Sequence, residues 1–114
     1  MYKVLFYQTE QGKSLVYEFV CALDTKTRAK VYRHIDYLKE HGPNLIRPFS
    51  DVVRGKIREL RVKFSHNNVR LFYFFFVEHE IVLVHGILKK TQALDPNDIE
   101  VAEKRMAEWM ARCG

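Results

Sequence analysis

Cysteine is scarce. Cys21 and Cys113 are the only two, and neither belongs to a CxxC or Cys/His ligand spacing, so no disulfide framework or zinc site is expected. A reduced, cytoplasmic setting is the simpler reading. Glycine and proline are also sparse, at 5 and 3. They form no P-loop, no dinucleotide glycine pattern and no nucleophile elbow, which removes the usual nucleotide-binding and hydrolase signatures. The aromatic run Leu71 to Val77 is too short to span a bilayer. The chain opens on strand-like Tyr2 to Tyr7 rather than on a basic region followed by an apolar run, so no secretory signal is expected. No repeat or low-complexity segment interrupts it.

Basic residues are plentiful. The 114 residues carry a formal charge of +5 and a sequence pI of about 9.3, which favours acidic partners such as nucleic acid. Arg54, Lys56, Arg58, Arg61, Lys63 and Arg70 crowd a segment in which Glu59 is the one acid. Hydrophobic residues at 47% and charged residues at 29% are ordinary globular usage. The length suits a single domain over residues 1–114, with a core that needs neither metal nor disulfide.

Periodicity predicts an α+β domain in the order β-α-α-β-β-β-α. Tyr2 to Tyr7 reads as a strand. Ser14 to Leu23 places Leu15, Phe19 and Leu23 at helical spacing, and Asp24 or Thr25 caps a second helix whose stripe is Val31, Ile35 and Leu38. His41-Gly42-Pro43 stops it. Asn44 to Lys56 lacks periodicity and reads as an irregular connection. Three strands follow, Ile57 to Phe64, Val69 to Val77 and Ile81 to Lys89, forming a small antiparallel sheet. Asp95 and Pro96 then open a closing helix with the stripe Ile99, Ala102, Met106 and Trp109.

Successive strand side chains point to opposite faces. That rule separates Leu60, Val62 and Phe64 from Glu59, Arg61 and Lys63. It also puts Arg70 with Phe72, Phe74 and Phe76, and His85 and Lys89 with Ile81, Leu83 and Ile87. A four-residue loop Ser65 to Asn68 and a two-residue loop Glu78-His79 would set Lys63 opposite Arg70, Arg70 opposite Ile87 and His85 opposite Phe72. Lys89 would then sit diagonally from Arg70, within reach of long side chains. Like charges directly across strands repel, and a bound anion would offset that repulsion. An odd loop length would send Lys89 to the other face.

Four cations on one face suit phosphate chemistry. Cleaving RNA without metal requires a proton to leave the 2′-hydroxyl, another to reach the 5′-oxygen, and the charge on the phosphorane to be stabilised. Arg70 suits the last role through its planar fork. Arg61 and Lys63 can grip the backbone, and Lys89 or Lys90 can serve the leaving group. His85 is the residue type that titrates near neutrality, although a lone histidine on an apolar strand is more often structural. Lys63 or Lys89 offers an alternative base, and the residues alone do not choose. Paired carboxylates beside the cationic strands are missing, which disfavours a two-metal nuclease.

The order of elements, with IRELRVKF, NNVRLFYFF, VHGILKKTQ and EVAEKRMAEW, resembles the RelE/ParE toxin superfamily, and within it the phage-derived, HigB-like branch. The resemblance is most specific from Ile57 to Trp109. It implies the toxin of a type II toxin-antitoxin system, a ribosome-dependent mRNA endoribonuclease that uses no metal or cofactor and inhibits translation. On it, Arg61, Lys63, Arg70, Lys89 and Lys90 match the basic residues of the family's site, and Arg54, Lys56 and Arg58 would add RNA contacts. Two departures stand out: the last basic pair is two lysines, where many members carry an arginine, and Trp109 lies where a tyrosine is common. The family also implies a cognate antitoxin, often a small helix-turn-helix protein, through which operator DNA is bound. A ParE-like DNA gyrase inhibitor and an inactive RNA- or protein-binding module of the same fold are the competing expectations.

Overall fold

The structure, a computed structural model, describes residues 1–91 and 93–114. Gln92, which closes the VHGILKKTQ motif, lies outside the described residues. The elements are β1 (Lys3–Phe6), α1 (Leu15–Ala22), α2 (Thr25–His41), a short 3-10 turn (Gly42–Asn44), β2 (Ser50–Arg54), β3 (Ile57–Phe64), β4 (Asn67–Phe75), β5 (Glu80–Leu88) and α3 (Pro96–Cys113). The α+β class is as expected. The five strands form one sheet in the order β1-β5-β4-β3-β2. β1 runs parallel to β5 and every other neighbouring pair is antiparallel, so the sheet is mixed.

Helix boundaries follow their capping chemistry. The Ser14 hydroxyl accepts from the Tyr17 amide, the Asp24 carboxylate from Thr27 and the Asp95 carboxylate from Asn97, each satisfying an orphan amide of a first turn. Gly42, at φ 53°, ends α2, a conformation that costs glycine little. Val31, Ile35 and Leu38 are buried as their spacing predicts, whereas α1 buries Val16 and Val20 and leaves Leu15 half exposed.

Three local features differ from expectation. The first is β2, which occupies part of the segment read as irregular and pairs with β3 from Ser50↔Leu60 to Arg54↔Ile57. Pro48 and Gly55 hid it, because they bracket a strand of only five residues. The second is the β3–β4 connection, which is the two-residue loop Ser65-His66, since Phe64 already pairs with Asn67. Asn67 is held in the strand by its side-chain amide, which donates to Asp24 and Thr27. Lys63 therefore faces Asn68, and the residue directly opposite Arg70 is Arg61.

The third is a compensation in β5. Phe76 to His79 connect β4 to β5, and because the Phe76 amide donates to the Glu80 carbonyl the turn proper is the three residues Val77 to His79, with Glu78 and His79 at positive φ. That odd length alone would have flipped Lys89. A bulge at Val84 inserts one unpaired residue between Tyr73↔Leu83 and Phe72↔His85, which restores the parity. Leu83 and His85 consequently point to opposite faces instead of sharing one, while Arg70↔Ile87 and Phe72↔His85 pair as expected.

The helices cover both faces. Phe19 of α1 lies over Gly86 and Leu71, while α3 reaches the other face through Asp98 and Arg105 at His85 and Trp109 at Phe76. Between these layers Leu60, Val62, Leu71, Phe72, Tyr73 and Phe74 are fully buried. The Tyr73 hydroxyl lies 2.5 Å from that of Ser50. A methyl group at Gly86 would strike the Phe19 ring. Gly86→Ala should therefore lower stability by about 1–3 kcal/mol through overpacking, read as a lower midpoint of urea unfolding at an unchanged slope.

Candidate functional site

β3 outruns β2, and the half of β3 that β2 leaves uncovered forms one side of a cleft of about 490 Å³. From the sheet come Arg61, Lys63, Asn68 and Arg70; from α2 come Lys30, Arg33, His34 and Tyr37; Pro48 and Phe49 close the end. A second cleft of about 300 Å³ shares Asn68 and Arg70 and adds Lys89, Lys90 and Thr91. The expected basic residues thus fall into two adjoining hollows with Arg70 between them. The last strand ends at Leu88, so alternation no longer governs Lys90, which joins Lys89 in the same hollow.

Two arginines directly opposite each other need a counter-charge, and Glu59 supplies it. Its side chain is 4% exposed and meets both arginines: Arg61 Nη2 lies 3.0 Å from Oε2 and Arg70 Nε 3.2 Å from Oε1. The second contact is an ion pair too misaligned to be a hydrogen bond, which leaves Arg70 Nε and Glu59 Oε1 without hydrogen-bond partners. Asp51 takes a further contact with Arg61, 3.2 Å, and one with Arg47, 2.8 Å. Hydrogen bonds from Arg47, the largest cause, and from the Val52 amide hold the Asp51 carboxyl below the usual carboxylate range, with a smaller contribution from the charge of Arg61. The expected repulsion between Lys63 and Arg70 does not arise, since Lys63 faces Asn68, and the repulsion between Arg61 and Arg70 that replaces it is offset in part by the fold itself. Lys63, Lys89 and Lys90 still leave the surface positive.

Arg70 is the most constrained of these cations, with 13% of its side chain exposed. Burial lowers its pKa, Glu59 opposes that shift, and Arg61 adds to it. As an arginine it remains charged. A guanidinium fixed this way needs little reorganisation to receive a phosphate, which is what stabilising a developing charge demands.

His85 is turned toward α3. Its Nε2 is 2.8 Å from Asp98 Oδ1, Arg105 Nη1 is 3.3 Å from its Nδ1, and its ring stacks on Phe72 at 5.8 Å and 12°. Arginine can only donate, so Nδ1 accepts and Nε2–H donates to the carboxylate. Both ring nitrogens are engaged in clasping α3 to the sheet. Phe72 and Phe74 are fully buried and Phe76 packs on Trp109, so these rings belong to the core.

Arg54, Lys56 and Arg58 lie elsewhere. Arg54 pairs with Glu103 of α3 at 2.6 Å, while Lys56 and Arg58 line a separate cleft of about 320 Å³ with Gly55 and Phe75. Arg58 shares its face with Leu60, opposite to Arg61. The structure does not join this trio to the Arg61–Arg70 site. Two contributors escaped the sequence reading. In the sequence Glu59 is a lone acid among cations, with nothing to mark it as buried. The α2 wall carries a helical signal, since residues 30, 33, 34 and 37 follow the i, i+3, i+4, i+7 spacing of one helix face.

Residues 18–107 match the family described as "Phage derived protein Gp49-like". The chain belongs to that family. Gp49-like proteins fall in the RelE/ParE-like toxin superfamily and are toxins of toxin-antitoxin pairs, which agrees with the resemblance carried by the strand motifs. Membership also implies a cognate antitoxin. No curated protein matches the chain. Among the described residues of this Gp49-like protein, no helix is long and apolar enough to cross a membrane, and no three His, Cys, Asp or Glu side chains converge as metal ligands do.

Proposed function

We propose that this Gp49-like protein is a HigB-like endoribonuclease that cuts mRNA on translating ribosomes in the cytoplasm, without metal or cofactor. The observation that carries the reading is the Arg61–Arg70 pair, opposed across the hairpin and braced by buried Glu59, with Lys63 on one side and Lys89 and Lys90 on the other. In this reading the scissile phosphate lies against Arg70 and Arg61. The 2′-hydroxyl gives up its proton to water as its oxygen attacks phosphorus, the bond to the 5′-oxygen breaks as that oxygen gains a proton, and the guanidinium groups hold the added charge of the phosphorane. Glu59 positions the two arginines. Lys63 grips the flanking backbone, and Lys89 or Lys90 is placed to protonate the leaving oxygen. His85 acts as the α3 clasp and stays outside the step. Arg54, Lys56 and Arg58 are assigned to an outer RNA contact. The antitoxin is a small helix-turn-helix protein that covers the cationic clefts and carries the operator contact.

Induction in bacteria followed by mapping of mRNA 5′ ends tests the activity. Codon-phased cuts are expected within minutes of induction. Intact mRNA with relaxed or cleaved DNA would point instead to a gyrase inhibitor, and growth without either lesion to a binding module.

A further inference from the structure

The phosphate site occupies one side of the larger cleft; the other side is aromatic. His34, Tyr37 and Phe49 form a triangle of rings with centroids 5.3, 5.6 and 5.8 Å apart. All three line the cleft with Arg61, Lys63 and Arg70. Phe49 is 38% exposed, a costly placement for a phenyl ring that serves only stability. It is nonetheless fixed, because its carbonyl accepts from the Arg61 amide at 2.8 Å and its amide donates to the Ile46 carbonyl at 2.9 Å. His34 supports it from below, 8% exposed, with an Nδ1 that has no partner. The cleft has no carboxylate among its lining residues, and Lys30 and Arg33 add positive charge from α2. An exposed ring on a rigid backbone, inside a cationic cleft, is what a single-stranded base stacks upon.

We infer that Phe49, backed by Tyr37 and His34, is a nucleobase-stacking subsite for the nucleotide next to the scissile phosphate. The RNA strand then runs from the α2 side of the cleft, across Arg70, to Lys89 and Lys90 in the adjoining hollow. The cleft volume of about 490 Å³ lies within the ordinary range for small-ligand sites. This inference rests on the proposed RNA cleavage and adds to it a position at which a base, not a phosphate, is held.

The test is single-turnover cutting of a defined mRNA on programmed ribosomes, with the protein concentration varied. Phe49→Leu should raise the half-saturating concentration about tenfold, within the range that losing one stacked base produces, while Phe49→Trp should restore it. An mRNA lacking the base beside the cut should cost the native protein the same factor and cost Phe49→Leu nothing further. Equal cutting by Phe49→Leu and the native protein, or penalties that multiply, would overturn the subsite while leaving RNA cleavage standing. If Phe49→Leu melts early, the abasic mRNA with native protein decides alone, and an unchanged half-saturating concentration overturns the subsite. A Phe49→Leu effect confined to antitoxin binding would reassign the rings to a protein interface. No cutting by the native protein would remove both the function and the subsite.

Discussion

Arg70→Ala should cut ribosome-bound mRNA about 100-fold to 1,000-fold more slowly than the native protein, the usual consequence of removing one fixed donor from a developing charge. Folding confounds the simple form of this experiment. Glu59 is buried and touches Arg61 and Arg70, so deleting Arg70 strips a buried carboxylate of one partner and should also lower stability by about 1–3 kcal/mol. The remedy is to neutralise the carboxylate as well. Arg70→Ala with Glu59→Gln should regain most of the thermal stability and none of the cutting. Recovery of both would make Arg70 a structural residue.

Glu59→Ala should be the more destabilising change. It leaves Arg61 and Arg70 directly opposed with no carboxylate between them. Arg61 can turn toward Asp51 and solvent, being 33% exposed, but Arg70 at 13% cannot. Breaking a buried pair by removing one partner costs about 3–5 kcal/mol, and Arg61's freedom should hold the loss near the lower figure. The vacated space is suited to an anion, so sulfate or phosphate should raise the melting temperature of Glu59→Ala more than that of the native protein. At ten times its Kd the anion would return about 1.4 kcal/mol. The native protein in the same buffer controls for the general stabilisation that sulfate gives any fold. Equal gains in both would show that the arginine pair does not receive oxyanions.

Much of the fold was legible because long periodic segments dominate it. The stripes of α2 and α3, their caps, and the alternation of β3 and β4 all follow from residue type and spacing. What escaped was set by tertiary contacts. Asn67 reads as a turn residue, yet Asp24 and Thr27 hold it in a strand, and the turn moves to Ser65, which adopts φ 55° without being glycine. β2 is an edge strand recruited by β3, and its sequence has no period of its own. The Val84 bulge has no sequence signature, yet without it the three-residue loop would carry Lys89 to the opposite face.

The candidate site divides the same way. Parity was enough to gather Arg61, Lys63 and Arg70, whereas Lys89 joins them only because the Val84 bulge cancels the odd turn before it. It could not reveal that Glu59 binds both arginines, because an acid flanked by cations reads the same whether it is exposed or buried. Nor could it show that α2 crosses the uncovered edge of β3, since that packing depends on where β2 stops. Arg54, Lys56 and Arg58 are neighbours of the site in sequence only. The β2–β3 turn and one step of parity move them away.

The most direct measurement is a structure of the protein on a ribosome carrying an mRNA whose attacking 2′-oxygen is blocked by a methyl group. The expected result is the uncut phosphate within about 3 Å of the Arg70 and Arg61 guanidinium groups, with the strand continuing toward Lys89 and Lys90. A phosphate seated instead in the Lys56–Arg58 cleft, or a strand that touches neither arginine, would contradict the account.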